Sequence, residues 1–131
     1  MEATLEHVNL TVPDADRTAD MLSDLFGWHV RWAGPSLGGG RSVHVGTDAH
    51  YVAVYTPPNT TKPKPESYNI TNGLNHIGVV VADLDATEAR VKARGLVPTN
   101  HGDYKPGRRF YFTDHDGVEF EVVSYAGEPR P

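Results

Sequence analysis

An α+β fold of two tandem βαβββ modules is predicted by three features of this 131-residue chain. The segment Leu5-Glu6-His7-Val8-Asn9-Leu10-Thr11-Val12 returns as Leu74-Asn75-His76-Ile77-Gly78-Val79-Val80-Val81, each copy placing a histidine third in a short apolar run. Asp-x-Asp follows both runs at the same distance, as Asp14 and Asp16 and then as Asp83 and Asp85, so the offset is 69 positions throughout. Behind each Asp pair comes a helical stretch closed by glycine, and then three short β-like runs. A fixed internal period of this kind sets the fold before any single residue does.

The first module spans 1–56. Its opening strand alternates, with Val8, Leu10 and Val12 toward a core and His7, Asn9 and Thr11 on a polar face. Pro13 ends the strand. Asp14 or Asp16 caps a helix running to about Phe26, with Ala19, Leu22, Leu25 and Phe26 as its buried stripe. Gly27 suits the left-handed residue that closes a helix. Strands are expected at 28–33, 42–45 and 51–55. The glycine-rich loop 34–40 lacks the lysine and hydroxyl residue of a phosphate-binding loop and opens no helix, so it reads as a flexible connection. Residues 57–73, rich in Pro, Thr, Lys and Asn, read as a linker that is also placed to cover a site.

The second module spans 74–126. Asp85, with Glu88 three residues later, has the pattern of a capping box for a helix to about Arg94, closed by Gly95. Strands are expected at 97–100, 109–113 and 118–125, with Asp116-Gly117 as the last tight turn. Residues 127–131 read as a loose tail.

Composition narrows the function. Twelve Lys and Arg against 17 Asp and Glu leave a net charge of −5, against a broad nucleic-acid surface, which needs cationic excess. The chain has no cysteine, hence no disulfide, thiolate site or cysteine nucleophile. Its start shows no basic region leading into a long apolar segment. A soluble cytoplasmic protein with no membrane partner is the expectation. The glycosylation patterns at Asn59 and Asn69 are then read as chance.

The seven histidines divide. His29, His50, His101 and His115 fall at strand ends or turns and need no role, and His44 faces either a cleft or the core. His7 and His76 are equivalent positions in two copies of one unit, so a local two-fold axis would bring their imidazoles together. Val118, Phe120 and Val122 alternate with Glu119, Glu121 and Val123, which puts both carboxylates on the face that carries the histidines. Two imidazoles and a carboxylate leave open coordination positions and suit one divalent iron, manganese, nickel or zinc ion. Each of these residues taken singly is an ordinary strand-surface group; the joint pattern favours the metal.

Four motifs together resemble the vicinal oxygen chelate superfamily of glyoxalase, bleomycin-resistance and extradiol dioxygenase proteins. They are Glu6-His7-Val8-Asn9-Leu10-Thr11-Val12-Pro13-Asp14, Leu25-Phe26-Gly27-Trp28, Asn75-His76-Ile77-Gly78, and the run from Phe110 to Glu121. The resemblance implies paired βαβββ modules forming a curved mixed sheet around a cleft. It implies His7, His76 and Glu121 as metal ligands, and a homodimer, for which exposed strand edges give a physical reason. A ligand glutamate exchanges protons with the substrate in glyoxalase I, so Glu121 is also the catalytic candidate. One departure matters: aligning the two last turns puts Ala53 opposite Glu121, where ordinary glyoxalase I has a fourth ligand.

The three-ligand pattern resembles the fosfomycin-resistance transferases and the extradiol dioxygenases. Tyr111 matches a substrate-binding tyrosine of the fosfomycin group and Asn9 sits where that group has a threonine. Residues 101–109 replace its potassium-binding loop, so fosfomycin is not assigned as substrate. His44 and Tyr55 would be the second-sphere pair of an extradiol dioxygenase. Arg109 and Arg108 either neutralise a substrate carboxylate or phosphonate, or are solvated strand-end charges. The expected function is a metal-dependent lyase, isomerase or transferase on a small vicinally oxygenated substrate. The alternative is a metal-free module that sequesters an aromatic or cationic molecule among Trp32, Tyr51, Tyr55, Tyr104 and Tyr111.

Overall fold

A computed structural model describes residues 1–104 and 107–126, divided into two compact units, Met1–Pro63 and Lys64–Pro131. The expected tail at 127–131 and the side chain of Tyr104 lie outside what is described. The first unit holds β1 (His7–Thr11), α1 (Ala15–Phe26), β2 (His29–Pro35), β3 (Arg41–Gly46) and β4 (Tyr51–Thr56). The second holds β5 (Ile77–Val80), α2 (Leu84–Ala93), β6 (Thr99–Tyr104), β7 (Gly107–Thr113) and β8 (Glu119–Ser124). The α+β class and the tandem βαβββ order are as the repeat predicts. The opening strands are shorter than expected, since His7 begins β1 and His76 immediately precedes β5.

Both sheets have the same order, β1-β4-β3-β2 and β5-β8-β7-β6. In each, the first strand pairs in parallel with the last, and the other neighbours are antiparallel. The parallel registers set Asn9 against Ala53 and Gly78 against Glu121. Since Gly78 is the repeat counterpart of Asn9, backbone pairing supports the Ala53–Glu121 equivalence independently of the turns.

Each unit has its own core. In the first, Ala15, Ala19, Leu22 and Leu25 of α1 are buried, as are Val43, Val45, Val52 and Val54 of the sheet. In the second, Phe112 and Phe120 stack with centroids 5.1 Å apart, and Phe110 lies 6.4 Å from Phe112. All three rings are fully buried. Burying one such side chain stabilises by about 1.5–3 kcal/mol.

The two aspartates of each Asp-x-Asp have different tasks. Asp14 caps α1, accepting from the backbone of Arg17 at 3.1 Å, while Asp16 pairs with Arg41 on β3 at 2.8 and 3.0 Å. Asp83 caps α2, accepting from Ala86 at 3.0 Å, while Asp85 lies 3.2 Å from Arg108 on β7. This corrects the Asp85–Glu88 capping box. The buried stripe Leu84, Thr87 and Val91 requires α2 to start at Leu84, so the residue just before it becomes the cap. Glu88 turns instead to His101 at 2.8 Å and Lys92 at 3.5 Å, and the bond to His101 holds its carboxyl below the usual range.

A hydroxyl at the end of each last strand ties the sheet to the helix entry. Thr56 donates to the Val12 carbonyl at 3.0 Å and accepts from Ala15 at 2.8 Å, and Ser124 donates to the Ala82 carbonyl at 3.2 Å. Gly27 takes φ +69°, where a Cβ would be strained.

Losing an N-cap costs about 1 kcal/mol, whereas an exposed ion pair contributes about 0–1 kcal/mol. Asp83→Ala is therefore expected to lower the urea midpoint at unchanged slope by more than Asp85→Ala does. Equal shifts would return the cap to Asp85.

Candidate functional site

The second unit gathers a cluster on one face of its sheet. Strand alternation buries Phe120 and Val122 and turns Glu119 and Glu121 the other way, where both approach His76. His76 Nε2 lies 3.1 Å from Glu121 Oε1, and His76 Nδ1 lies 3.6 Å from Glu119 Oε1. The other Glu121 oxygen accepts from Arg109 Nη1 at 2.8 Å. Tyr111, directly opposite Glu121 across β7 and β8, meets the His76 ring edge-on with centroids 5.7 Å apart. Tyr111 is thus the face residue, and Phe110 and Phe112 belong to the core. Arg108 points elsewhere, to Asp85 and Asp103.

The β7–β8 turn fixes this face. Buried Asp114 accepts from the backbone N–H groups of Asp116 and Val118, both at 2.9 Å, and Gly117 takes φ +88°. Burial pushes the Asp114 carboxyl above its usual range, against the lowering effect of those two N–H groups. From that turn β8 runs out with its two glutamates in register. Gly78, opposite Glu121 on β5, has open space where a side chain would stand.

In the first unit the equivalent face is aromatic. His7 stacks on Tyr51 with centroids 4.8 Å apart, Tyr51 on His44 at 4.7 Å, and His44 leans on Trp32 at 5.1 Å. The Arg31 guanidinium sits 4.3 Å above the Tyr51 ring. Burial, then the positive neighbourhood of His7 and Arg31, lowers the His44 pKa, which favours a neutral ring. His7 Nδ1 meets Glu6 Oε1 at 2.8 Å, and that bond draws the Glu6 carboxyl below its ordinary range. Asn9, two residues along β1, faces Ala53 at its rung rather than a carboxylate. Tyr55 pairs with Ser42, two rungs away from the His44–Ala53 pair. The turn and strand-end histidines have surface partners: His29 with Asp48, His50 with the Leu5 carbonyl, and His101 with Glu88.

Of the sequence-derived candidates, His76, Glu121, Arg109 and Tyr111 come together in the second unit, and His7 and Asn9 share β1 of the first. Three residues were missed. Tyr68, from the segment read as a linker, donates to Glu119, and Glu6 and Glu119 each face a histidine Nδ1. Glu119 was visible as the alternate of Glu121 on the same face. Tyr68 carried no signal, because nothing in an aperiodic segment says where it folds back.

The fit to a divalent ion is tested by the donor spacing. Ligand bonds of about 2.1 Å place two donors about 3.0 Å apart at a right angle and about 3.4 Å apart at the tetrahedral angle. The 3.1 Å between His76 Nε2 and Glu121 Oε1 falls within that span. Arg109 occupies the far oxygen of Glu121 and leaves the near one on the histidine side. Among the described residues, no three His, Cys, Asp or Glu side chains form a ready metal cage. The second unit offers a fitting pair, with Glu119 behind the ring at its other nitrogen.

A family model described as the Glyoxalase/Bleomycin resistance protein/Dioxygenase superfamily matches residues 4–122. The chain belongs to this superfamily. A curated relative, the probable chloroplastic lactoylglutathione lyase of Arabidopsis thaliana, is 28% identical over 137 residues, covering 95% of this chain and 37% of the relative. The chain therefore spans little more than a third of that protein's length. Among solved structures, a glyoxylase/bleomycin resistance protein/dioxygenase domain from Frankia superposes with TM-score 0.78 at 21% identity, covering 95% of this chain and 98% of that one. A variant of the fosfomycin resistance protein FosX from Listeria monocytogenes, complexed with Mn(II) and 1S,2S-dihydroxypropylphosphonic acid, superposes with TM-score 0.72 at 20% identity, covering 94% and 93%. At these identities the structural likeness shows the superfamily fold. No helix among the described residues is long and apolar enough to cross a membrane.

The hydrogen bond to Glu119, then burial and the Glu119 charge, push the Tyr68 hydroxyl up to about 12. An unfolded tyrosine titrates near about 10, so the unfolded chain releases this proton first. The resulting stability is fully present below about pH 10 and is lost as pH rises through about 12. Phenolate absorbance is expected to show a tyrosine titrating at about 12 that disappears in Tyr68→Phe and titrates earlier in Glu119→Gln. An unchanged titration curve in both variants would remove the Tyr68–Glu119 bond from the folded protein.

Proposed function

We propose that this chain is a metal-dependent superfamily enzyme, a lyase, isomerase or transferase for a small substrate bearing two neighbouring oxygens. His7, His76 and Glu121 hold the ion. The observation that carries the reading is the His76–Glu121 pair, spaced as two donors to one cation, with Arg109 on the outer carboxylate oxygen. Support comes from His7 at the repeat-equivalent position and from FosX, which holds Mn(II) with a vicinal diol phosphonate.

A divalent ion at such a site supplies Lewis-acid polarisation of the two substrate oxygens. The protein's own groups do the rest. Arg109 holds the outer oxygen of Glu121 and fixes the orientation of the carboxylate, so Oε1 remains the oxygen that ligates or exchanges a proton. The Arg109 charge also favours an anionic substrate. Asn9 and Tyr111 orient that substrate through an amide and a phenol. Ala53 provides no fourth carboxylate, which argues for chemistry other than that of ordinary glyoxalase I, even though the Arabidopsis relative is named a probable lactoylglutathione lyase. Homodimeric assembly and a cytoplasmic location complete the proposal.

A second reading, metal-free sequestration of a flat aromatic or cationic molecule, draws on the Trp32–His44–Tyr51–His7 ladder. Trp32 is 47% exposed and ready to stack on a ligand.

Metal analysis and thermal shift separate the two. The first reading expects about one manganese, nickel, zinc or iron per chain and a melting temperature raised by added metal, since about 100 Kd of ligand adds about 2.7 kcal/mol. His76→Ala and Glu121→Ala are expected to lose most of the affinity. Loading below about half an ion per chain, or full loading of His76→Ala, would favour the sequestration reading.

A further inference from the structure

An imidazole that gives one lone pair to a metal keeps its proton on the other nitrogen, and an acceptor at that second nitrogen decides which is which. In the first unit, His7 Nδ1 lies 2.8 Å from Glu6 Oε1, and the same oxygen accepts the Tyr51 hydroxyl at 3.4 Å. In the second, His76 Nδ1 lies 3.6 Å from Glu119 Oε1, and that oxygen accepts the Tyr68 hydroxyl. His76 Nδ1 is buried and makes no hydrogen bond among the described residues, so a shift of a few tenths of an ångström toward Glu119 would complete one.

The sequence repeat does not generate this likeness. The counterpart of Glu6 in the second copy is Asn75, and the counterpart of Glu119 on β4 is Tyr51. One carboxylate precedes its histidine in the chain; the other reaches its histidine from a neighbouring strand. One tyrosine comes from β4, the other from the segment ahead of β5. Two unlike routes thus arrive at the same set of groups on the same ring nitrogen.

We infer that Glu6 and Glu119 are positioning residues that hold His7 and His76 in the Nδ1–H tautomer, each steadied by a tyrosine hydroxyl, so that both rings present Nε2 as the metal donor. This rests on the metal-centre reading above. In the second unit Nε2 is already the nitrogen on the Glu121 side. In the first, the stack on Tyr51, with ring planes 17° apart, holds the orientation of the His7 ring. Glu121 is then the ligating carboxylate and Glu119 the orienting one, although they are two residues apart on one face.

The test is a zinc titration of the intact protein and of Glu6→Ala, Glu119→Ala, Glu119→Gln and Tyr68→Phe, with nitrogen NMR of the histidine rings in the zinc-loaded protein. Each alanine variant is expected to bind zinc about 10–100-fold more weakly. Glu119→Gln, which keeps an acceptor oxygen, recovers most of the loss. Tyr68→Phe costs less and adds nothing in the Glu119→Ala background. The spectra are expected to show both rings protonated at Nδ1, a readout that requires no variant to fold. Parent-like zinc affinity in both alanine variants, or protons on Nε2, would overturn this inference and leave the metal centre standing. A parent that binds no zinc would overturn both.

Discussion

Parallel pairing of the first strand of each module with its last is the constraint on which the site depends. Without it, His76 and Glu121 would be separated by the helix and two strands that lie between them in sequence. With it, the Gly78–Glu121 rung brings the glutamate beside the histidine at the entry to β5. A parallel neighbour needs a crossover of a dozen or more residues, and in each module the helix with the two strands after it supplies it. The helices are therefore connections first, buried against their own sheets and contributing no side chain to the site.

Symmetry built the scaffold and asymmetry gives it chemistry. At matching rungs the first module carries Asn9 and Ala53 where the second carries Gly78 and Glu121, and His44 where the second carries Tyr111. One face became an aromatic ladder with a guanidinium above it, the other a chain of polar contacts from Tyr68 through Glu119, His76 and Glu121 to Arg109. Glu121 is mostly buried, with 15% of its side chain exposed, so its partners matter more than those of a surface carboxylate. Arg109 offsets its charge on one side, while the other side faces the His76 imidazole.

The fold was legible because the repeat is written in groups whose local preferences agree with their global places. Asp14 and Asp83 cap, Gly27 closes a helix with positive φ, and β8 alternates with the expected period. Where the reading went astray, two local signals competed. Asp85 and Glu88 have the spacing of a capping box, yet the buried position of Leu84 required the helix to begin earlier, and both acids found partners across space, Arg108 and His101. A motif scan cannot rank such options, because the deciding term is burial against the sheet.

The candidate site divides in the same way. The sequence by itself determined the two-module architecture, the equivalence of His7 and His76, the shared face of Glu119 and Glu121, and the missing carboxylate at Ala53. These follow from a period of 69, from the alignment of the two last turns and from a strand period of two. Only the tertiary structure decided which glutamate approaches which ring nitrogen, that Arg109 turns to Glu121 while Arg108 turns to Asp85, and that Tyr68 folds back onto Glu119. Alternation tells which face a side chain takes. The stagger between neighbouring strands, and the path of an aperiodic segment, decide what it meets there.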